Sequence, residues 1–207
     1  MEGGSLLDVG CGLGDFVTIA KNNGWDVTAT ELSKYAADYV LKAAGIDVIH
    51  GEISNVDFGF KKFNVITMWR VLEHMDDPLK ALKIVHHLLK EDGLLVVEVP
   101  NAYYLVQLLK NYLKTRNFFS SFILDGSPEP HLVHFSVESL KKLLADTGFR
   151  IKNIYVGIYG EHQSGILRRL KSKIYNISTI LVYLLSRKNI GVNTRIYAVK
   201  VSECKIA

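Results

Sequence analysis

Cysteine, proline and long apolar runs are all scarce in this chain. Two cysteines in 207 residues, Cys11 and Cys204, exclude a disulfide framework. Both are expected to be reduced thiols in a cytoplasm. Four prolines beside 16 glycines, with 48% hydrophobic and 22% charged residues, exclude collagen-like and disordered chains. The opening stretch, MEGGSLLDVG, holds no basic cluster and no long apolar run, so no signal peptide is expected. The most apolar late stretch is residues 174–185, well short of the roughly 20 residues that cross a bilayer. Acidic residues are scarce at one end only. Residues 1–149 carry 14 basic and 19 acidic side chains, a net of −5, whereas 150–207 carry 11 and 2, a net of +9. A basic quarter on an acidic body is either a solvated face or a surface for an anionic partner.

What is present is an alternation of strand and helix signals, in a length that suits one domain. Ser5–Val9 is a short apolar run ending at a glycine turn, which reads as a buried strand. A helix over 15–23 is stopped by Gly24, and a second strand is expected at 25–30. Ser33 can cap a helix that Gly45 ends after Ala44. Further strands are expected at 47–50, at Phe63–Trp69 and, after an Asp92-Gly93 turn, at 94–99. Pro78 suits the first turn of a helix running to Leu89. This rhythm predicts a parallel sheet with helices on both faces. It breaks after Pro100. Residues 101–130 hold an amphipathic helix and an aromatic loop, Ser136 caps another helix that Gly148 stops, and 150–159 and 194–201 alternate like strands. A basic, apolar helix is expected at 166–186, between those two strands.

The first strand runs into D-V-G-C-G-L-G-D, with Gly10, Gly12 and Gly14. Such a turn brings bare backbone close to a ligand. A dinucleotide fingerprint, G-x-G-x-x-G, needs glycine where Asp15 stands. Here Asp8 precedes the first glycine by two residues, and an acid there can hold a ligand ammonium. The second strand ends at Glu31, placed to accept from both hydroxyls of a ribose. Glu52 follows the third strand and can accept from an adenine amino group, with Ile53 packing on the ring face and donating its backbone N–H. Any one of these acids alone reads equally as a loop carboxylate; three acids and three glycines at successive strand ends point to a nucleoside site.

LLDVGCGLGDF, TATELS, GEI, VLEHMDDP and HLVHFSVESLKKLLADTGFRI together resemble a class I S-adenosylmethionine-dependent methyltransferase, of the group that includes the ubiquinone-biosynthesis O-methyltransferases. The resemblance is strongest over 5–100 and extends to 131–150. It implies a Rossmann-like, doubly wound α/β fold: a seven-stranded sheet of order 3-2-1-4-5-7-6, strand 7 antiparallel. Residues 1–207 then form one domain, with a cofactor-binding half at 1–100, a substrate lid at 101–135 and a C-terminal half at 136–207. It implies S-adenosylmethionine as cofactor. Asp8, Gly10, Cys11, Gly12 and Gly14 would meet the methionine and the turn, Glu31 and Leu32 the ribose, Glu52 and Ile53 the adenine. Trp69 and Arg70 would border the methionine moiety. Relatives carry helices ahead of strand one; only about four residues precede it here, so either those helices are missing or another segment is expected to close the pocket.

Methyl transfer from a sulfonium is a direct displacement that needs alignment above all. An oxygen nucleophile also benefits from a base, and His74, His131 and His134 are the candidates for that catalytic role. In the quinone relatives an acid three residues before the glutamate joins it and the next histidine at a divalent metal. Here Arg70 takes that place, before Glu73 and His74. A guanidinium cannot ligate a cation, so no metal is expected, and Arg70 would pair with Glu73 or meet a substrate anion. The expected acceptor is a small molecule, with a glycan, lipid-linked or quinone-type precursor suiting the apolar lid. The stretch 166–188 can rest on anionic lipid, so a cytoplasmic, membrane-associated protein is one reading; a dimer interface or a cap on the sheet edge are the others, and oligomeric state stays open. Two rival functions remain: a nucleic-acid or protein methyltransferase, and a non-catalytic nucleoside-binding module. Nucleic acid is not expected, because W-R-V-L rather than an N-P-P-Y-like segment follows strand four.

Overall fold

The computed structural model describes residues 3–102, 131–157 and 191–201, with Leu113 and Ile177 singly. Most of the lid expected at 101–135, and all but Ile177 of the basic helix expected at 166–186, therefore lie outside the described residues. Seven strands form one sheet: β1 Ser5–Val9, β2 Asp26–Glu31, β3 Val48–His50, β4 Phe63–Trp69, β5 Leu89–Pro100, β6 Phe149–Gly157 and β7 Asn193–Lys200. Their order is β3-β2-β1-β4-β5-β7-β6. β1 to β5 pair in parallel, and β7 runs antiparallel between β5 and β6. The expected topology is the observed one.

Burial explains why the parallel strands read as apolar runs. Leu6, Leu7 and Val9 of β1 are all buried, because helices cover both faces of a parallel sheet. Helices α1 (Asp15–Asn22) and α2 (Lys34–Ala44) pack Val17, Ala37 and Val40 with Ala29 and Val48 in a small cluster. Helices α3 (Pro78–Leu88) and α4 (Val137–Asp146) pack Leu82, Val85, Leu140 and Leu144 into the main core with Leu7, Ile66, Met68, Leu95 and Ile196. Local signals start each helix where the sequence places it. The Ser33 hydroxyl accepts from the Ala36 N–H, Asp77 accepts from the Lys80 N–H ahead of Pro78, and Ser136 and Ser139 cap α4 reciprocally.

One boundary differs. The Asp92-Gly93 turn is not a gap between helix and strand: β5 already begins at Leu89, which pairs with Phe63, and pairing resumes with Val65 opposite Leu94. The residues between form a bulge, in which Asp92 takes a left-handed φ of 60°. Asp and Gly signalled the reversal, but the sheet absorbs it.

Candidate active site

The C-terminal ends of β1, β2 and β4 converge on the glycine turn. Gly10 and Cys11 donate their N–H groups to the Thr30 carbonyl, at 2.9 and 3.0 Å, tying the turn to β2. Gly10 has φ 70°, and a Cβ there would stand 2.6 Å from Cγ2 of Val71. Gly14 has φ 84°, and its Cβ would meet Val40 at 2.6 Å. Both positions therefore require glycine, for handedness and for space. Gly12, with φ 55°, has open space on its Cβ side, as a ligand approach needs.

Two carboxylates frame this turn. Asp8 is 1% exposed and accepts a 2.5 Å hydrogen bond from the Thr67 hydroxyl of β4, its register partner. Burial pushes its carboxyl up to about 7, helped by the nearby Glu31 charge and opposed by Thr67. Glu31 spans the turn differently: one oxygen accepts from the Gly12 N–H at 2.9 Å, the other from the Ser33 N–H at 2.8 Å. A carboxylate offers about four acceptor sites, so two remain for a ribose diol. Cys11 lies between the two acids. Burial, then the charges of Asp8 and Glu31, push its thiol up to about 12, which keeps it protonated and inert.

The remaining predicted residues divide. Leu32, next to Glu31, is exposed, and Glu52 is half-buried at the N-terminus of a short 3-10 turn, Ile53–Asn55. Ile53, directly after Glu52, is 1% exposed and packed in the main core. Trp69 is held edge-on by Phe16 of α1, ring centroids 5.3 Å apart, and Arg195 of β7 lies 4.9 Å over its ring. Arg195 is itself clamped to Glu98 of β5 at 2.6 Å. Among the described residues the buried Trp69 indole N–H has no hydrogen-bond partner. Arg70 is exposed, with φ 57°; its backbone N–H donates to the Glu98 carbonyl, and its side chain does not ion-pair with Glu73 among the described contacts.

The histidine candidates come together. His74 closes a 3-10 turn, Leu72–His74, directly after β4. The Glu73 carbonyl accepts from the N–H groups of Leu132 and Val133, at 2.9 and 3.0 Å. That clamp sets His131 beside His74, ring centroids 4.9 Å apart, and His134 beside His131 at 5.8 Å. Glu73, His74 and His131 each offer one ligand atom, all within 4.8 Å of one another. Burial raises the Glu73 carboxyl above its usual range, and the His74 and Arg70 charges pull it back. The expectation of no metal rested on Arg70, and the structure supplies His131 as a group that the sequence did not place beside Glu73. Thr67, Glu98 and Arg195 were missed as well. Only strand adjacency reveals them, Thr67 opposite Asp8 and Arg195 opposite Glu98.

A doubly wound sheet of this order, with an acid-flanked glycine turn at the end of β1, defines a nucleoside-binding site of the methyltransferase type. Residues 1–153 match the methyltransferase domain family, and the chain belongs to it, among the class I S-adenosylmethionine-dependent methyltransferases. It is 32% identical over 140 residues to a ubiquinone biosynthesis O-methyltransferase of Actinobacillus pleuropneumoniae, covering 58% of this chain and 60% of that protein. The chain thus spans less than two thirds of that relative's length. A demethylmenaquinone methyltransferase of Staphylococcus epidermidis is 28% identical over 102 residues, covering 46% of this chain and 42% of that protein. An S-adenosylmethionine-dependent methyltransferase from Mesorhizobium loti shares the fold, with a TM-score of 0.67 at 14% identity over 96% of this chain and 91% of that one.

Proposed function

We propose that the chain moves a methyl group from S-adenosylmethionine to an oxygen of a small-molecule acceptor, of the glycan, lipid-linked or quinone-precursor kind. The observation that carries this reading is the contact between glycine turn and histidine cluster. Gly10 packs on Val71, two residues before Glu73 and three before His74, so a cofactor held by the turn has the histidines at its border. Asp8 would hold the cofactor ammonium, Glu31 the ribose and Glu52 the adenine amino group, while Trp69 walls the methionine side. The acceptor hydroxyl gives its proton to the cluster of His74, His131 and His134. Its oxygen then bonds to the methyl carbon, and the carbon–sulfur bond breaks to leave S-adenosylhomocysteine. A neutral imidazole nitrogen can accept this proton as a general base. The quinone-pathway names of the relatives support phenolic acceptors as the first to try.

The test is transfer of labelled methyl from S-adenosylmethionine to a panel of catechols, phenols and lipid-linked sugars. Alanine at the histidine that acts as base should cut turnover by about 10²–10⁴-fold, with S-adenosylhomocysteine affinity held within about twofold. Turnover that survives in the three single variants and in the triple variant would overturn the proton-transfer role.

A further inference from the structure

The β5–β7–β6 half of the sheet has two unlike faces. On one, Ile196 and Ala198 are 0% exposed and packed in the main core with residues of α3 and α4. On the other, Asn193, Arg195 and Tyr197 of β7 stay part-exposed. Asn153 and Tyr155 of the edge strand β6 join them there, opposite Tyr197 and Arg195. A register shift between Ile151 and Asn153 makes this possible. Without the extra residue, Lys152, Asn153 would fall opposite Ile196 and Tyr155 opposite Thr194, both on the buried face. Bulges of this kind re-aim side chains beside functional sites.

The resulting shelf adjoins the cofactor rim. Arg195 bridges the two, 4.9 Å over the Trp69 ring and 6.0 Å over the Tyr155 ring. Asn153, Tyr155, Arg195 and Tyr197 line an open cavity of about 470 Å³, within the roughly 300–1,000 Å³ of ligand pockets. Its chemistry selects the occupant. Glu98 holds the guanidinium at 2.6 Å, so that charge is already matched and does not call for an anion. The same guanidinium lies over the aromatic faces that a cation would need. Two buried polar atoms on this face have no hydrogen-bond partner among the described residues, the acceptor Asn193 Oδ1 and the donor Trp69 Nε1. Buried polar groups are rarely left so. A hydroxyl both donates and accepts, so a ligand with several hydroxyls satisfies either atom. Tyrosine offers an apolar ring face with a polar tip, on which the C–H face of a sugar can lie. A phenol or catechol brings a flat ring but only one or two hydroxyls.

We propose that this shelf binds a neutral sugar ring, and that the methyl acceptor is a glycan whose ring rests on Tyr155 and Tyr197. The sugar site is read from β6 and β7 themselves; its use by an acceptor rests on the methyl-transfer reading. The names of the relatives point to phenols instead, so the two acceptor classes compete directly.

The test applies the full chain, with S-adenosylhomocysteine present, to an array of neutral oligosaccharides. Retained sugars are then titrated by calorimetry beside catechol and glucose phosphate. Binding of a neutral oligosaccharide is expected, tighter than either control. Tyr155→Ala should weaken it by about tenfold, while Tyr155→Phe, which keeps the ring, stays within about threefold. Unchanged S-adenosylhomocysteine affinity in both variants shows that the fold survives. Labelled methyl transfer to the retained sugar should show a raised KM in Tyr155→Ala. The proposal is overturned by retention of no neutral oligosaccharide, by tighter binding of glucose phosphate, or by sugar binding that ignores both Tyr155→Ala and Tyr197→Ala. Methylation of catechol but of no sugar would overturn the acceptor assignment. S-adenosylhomocysteine binding without sugar binding would sink the shelf and leave the methyl-transfer reading standing; sugar binding with no methyl transfer to any acceptor would do the reverse.

Discussion

Asp8 shows how a single residue can set binding against stability. Its carboxyl is buried among strands and pushed up to about 7 from an ordinary 3.8. The folded chain therefore holds a proton that the unfolded chain has released between those two values. Stability from this group is complete below about pH 4 and is lost as pH rises towards 7, by on the order of 4 kcal/mol. Asp8→Asn removes that titration, so above pH 7 the variant should unfold at higher denaturant concentration than the wild type, with the gap closing below pH 5; an equal or lower midpoint at pH 8 would contradict the account. The same proton couples to the ligand. An ammonium group favours ionised Asp8, so S-adenosylhomocysteine affinity should fall by up to about tenfold per pH unit below 7 and stay flat in Asp8→Asn, which binds weakly throughout. Calorimetry at pH 5.5, 6.5 and 7.5 reads both. Asp8 was legible in the sequence from its place before the glycines. Its partner Thr67 was not, because a threonine 59 residues away becomes a neighbour only once β4 lies beside β1.

At the scale of elements, the glycine turn joins two functions. Gly10 packs so closely on Val71 that an alanine Cβ would fall 2.6 Å from its methyl group, at a φ that already disfavours any side chain. Gly10→Ala should cost more than about 1 kcal/mol of stability and weaken both cofactor binding and turnover, because it shifts the turn and the Leu72–His74 segment together. Gly12→Ala, with open space at its Cβ but φ 55°, should fold better than Gly10→Ala yet lose cofactor affinity. Denaturant melts paired with S-adenosylhomocysteine titrations separate the two. Helix starts were legible because their signals are local: the Ser33 and Ser136 caps act within three residues, and Pro78 sits in the first turn of α3. The β5 bulge was not, because whether Asp92-Gly93 ends a strand or bends it depends on Phe63 and Val65 across the ladder. The burial of Ile53 in the main core is likewise a tertiary fact that its place after Glu52 does not show.

For the whole molecule, the sheet order places the ends of β1, β2 and β4 side by side, and the antiparallel β7 brings Arg195 over Trp69. The crossover from β1 outward to β4 opens the crevice in which open α/β sheets bind ligands. Repeated strand–helix signals made the parallel half readable from composition and spacing. β7 showed in the alternation at 194–201, but its antiparallel place between β5 and β6 entered only through the family resemblance, and the Glu98–Arg195 pair escaped notice. Among the described residues no helix is long and apolar enough to cross a membrane. We propose that this rim binds S-adenosylmethionine, its ammonium on Asp8 and its ribose on Glu31. Calorimetric titration of the chain with S-adenosylhomocysteine, with NAD as control, tests it most directly. One micromolar site is predicted, with no NAD binding and at least about tenfold weaker affinity in Glu31→Ala, which loses charged hydrogen bonds. NAD binding in its place, or S-adenosylhomocysteine binding that ignores Glu31→Ala, would contradict it.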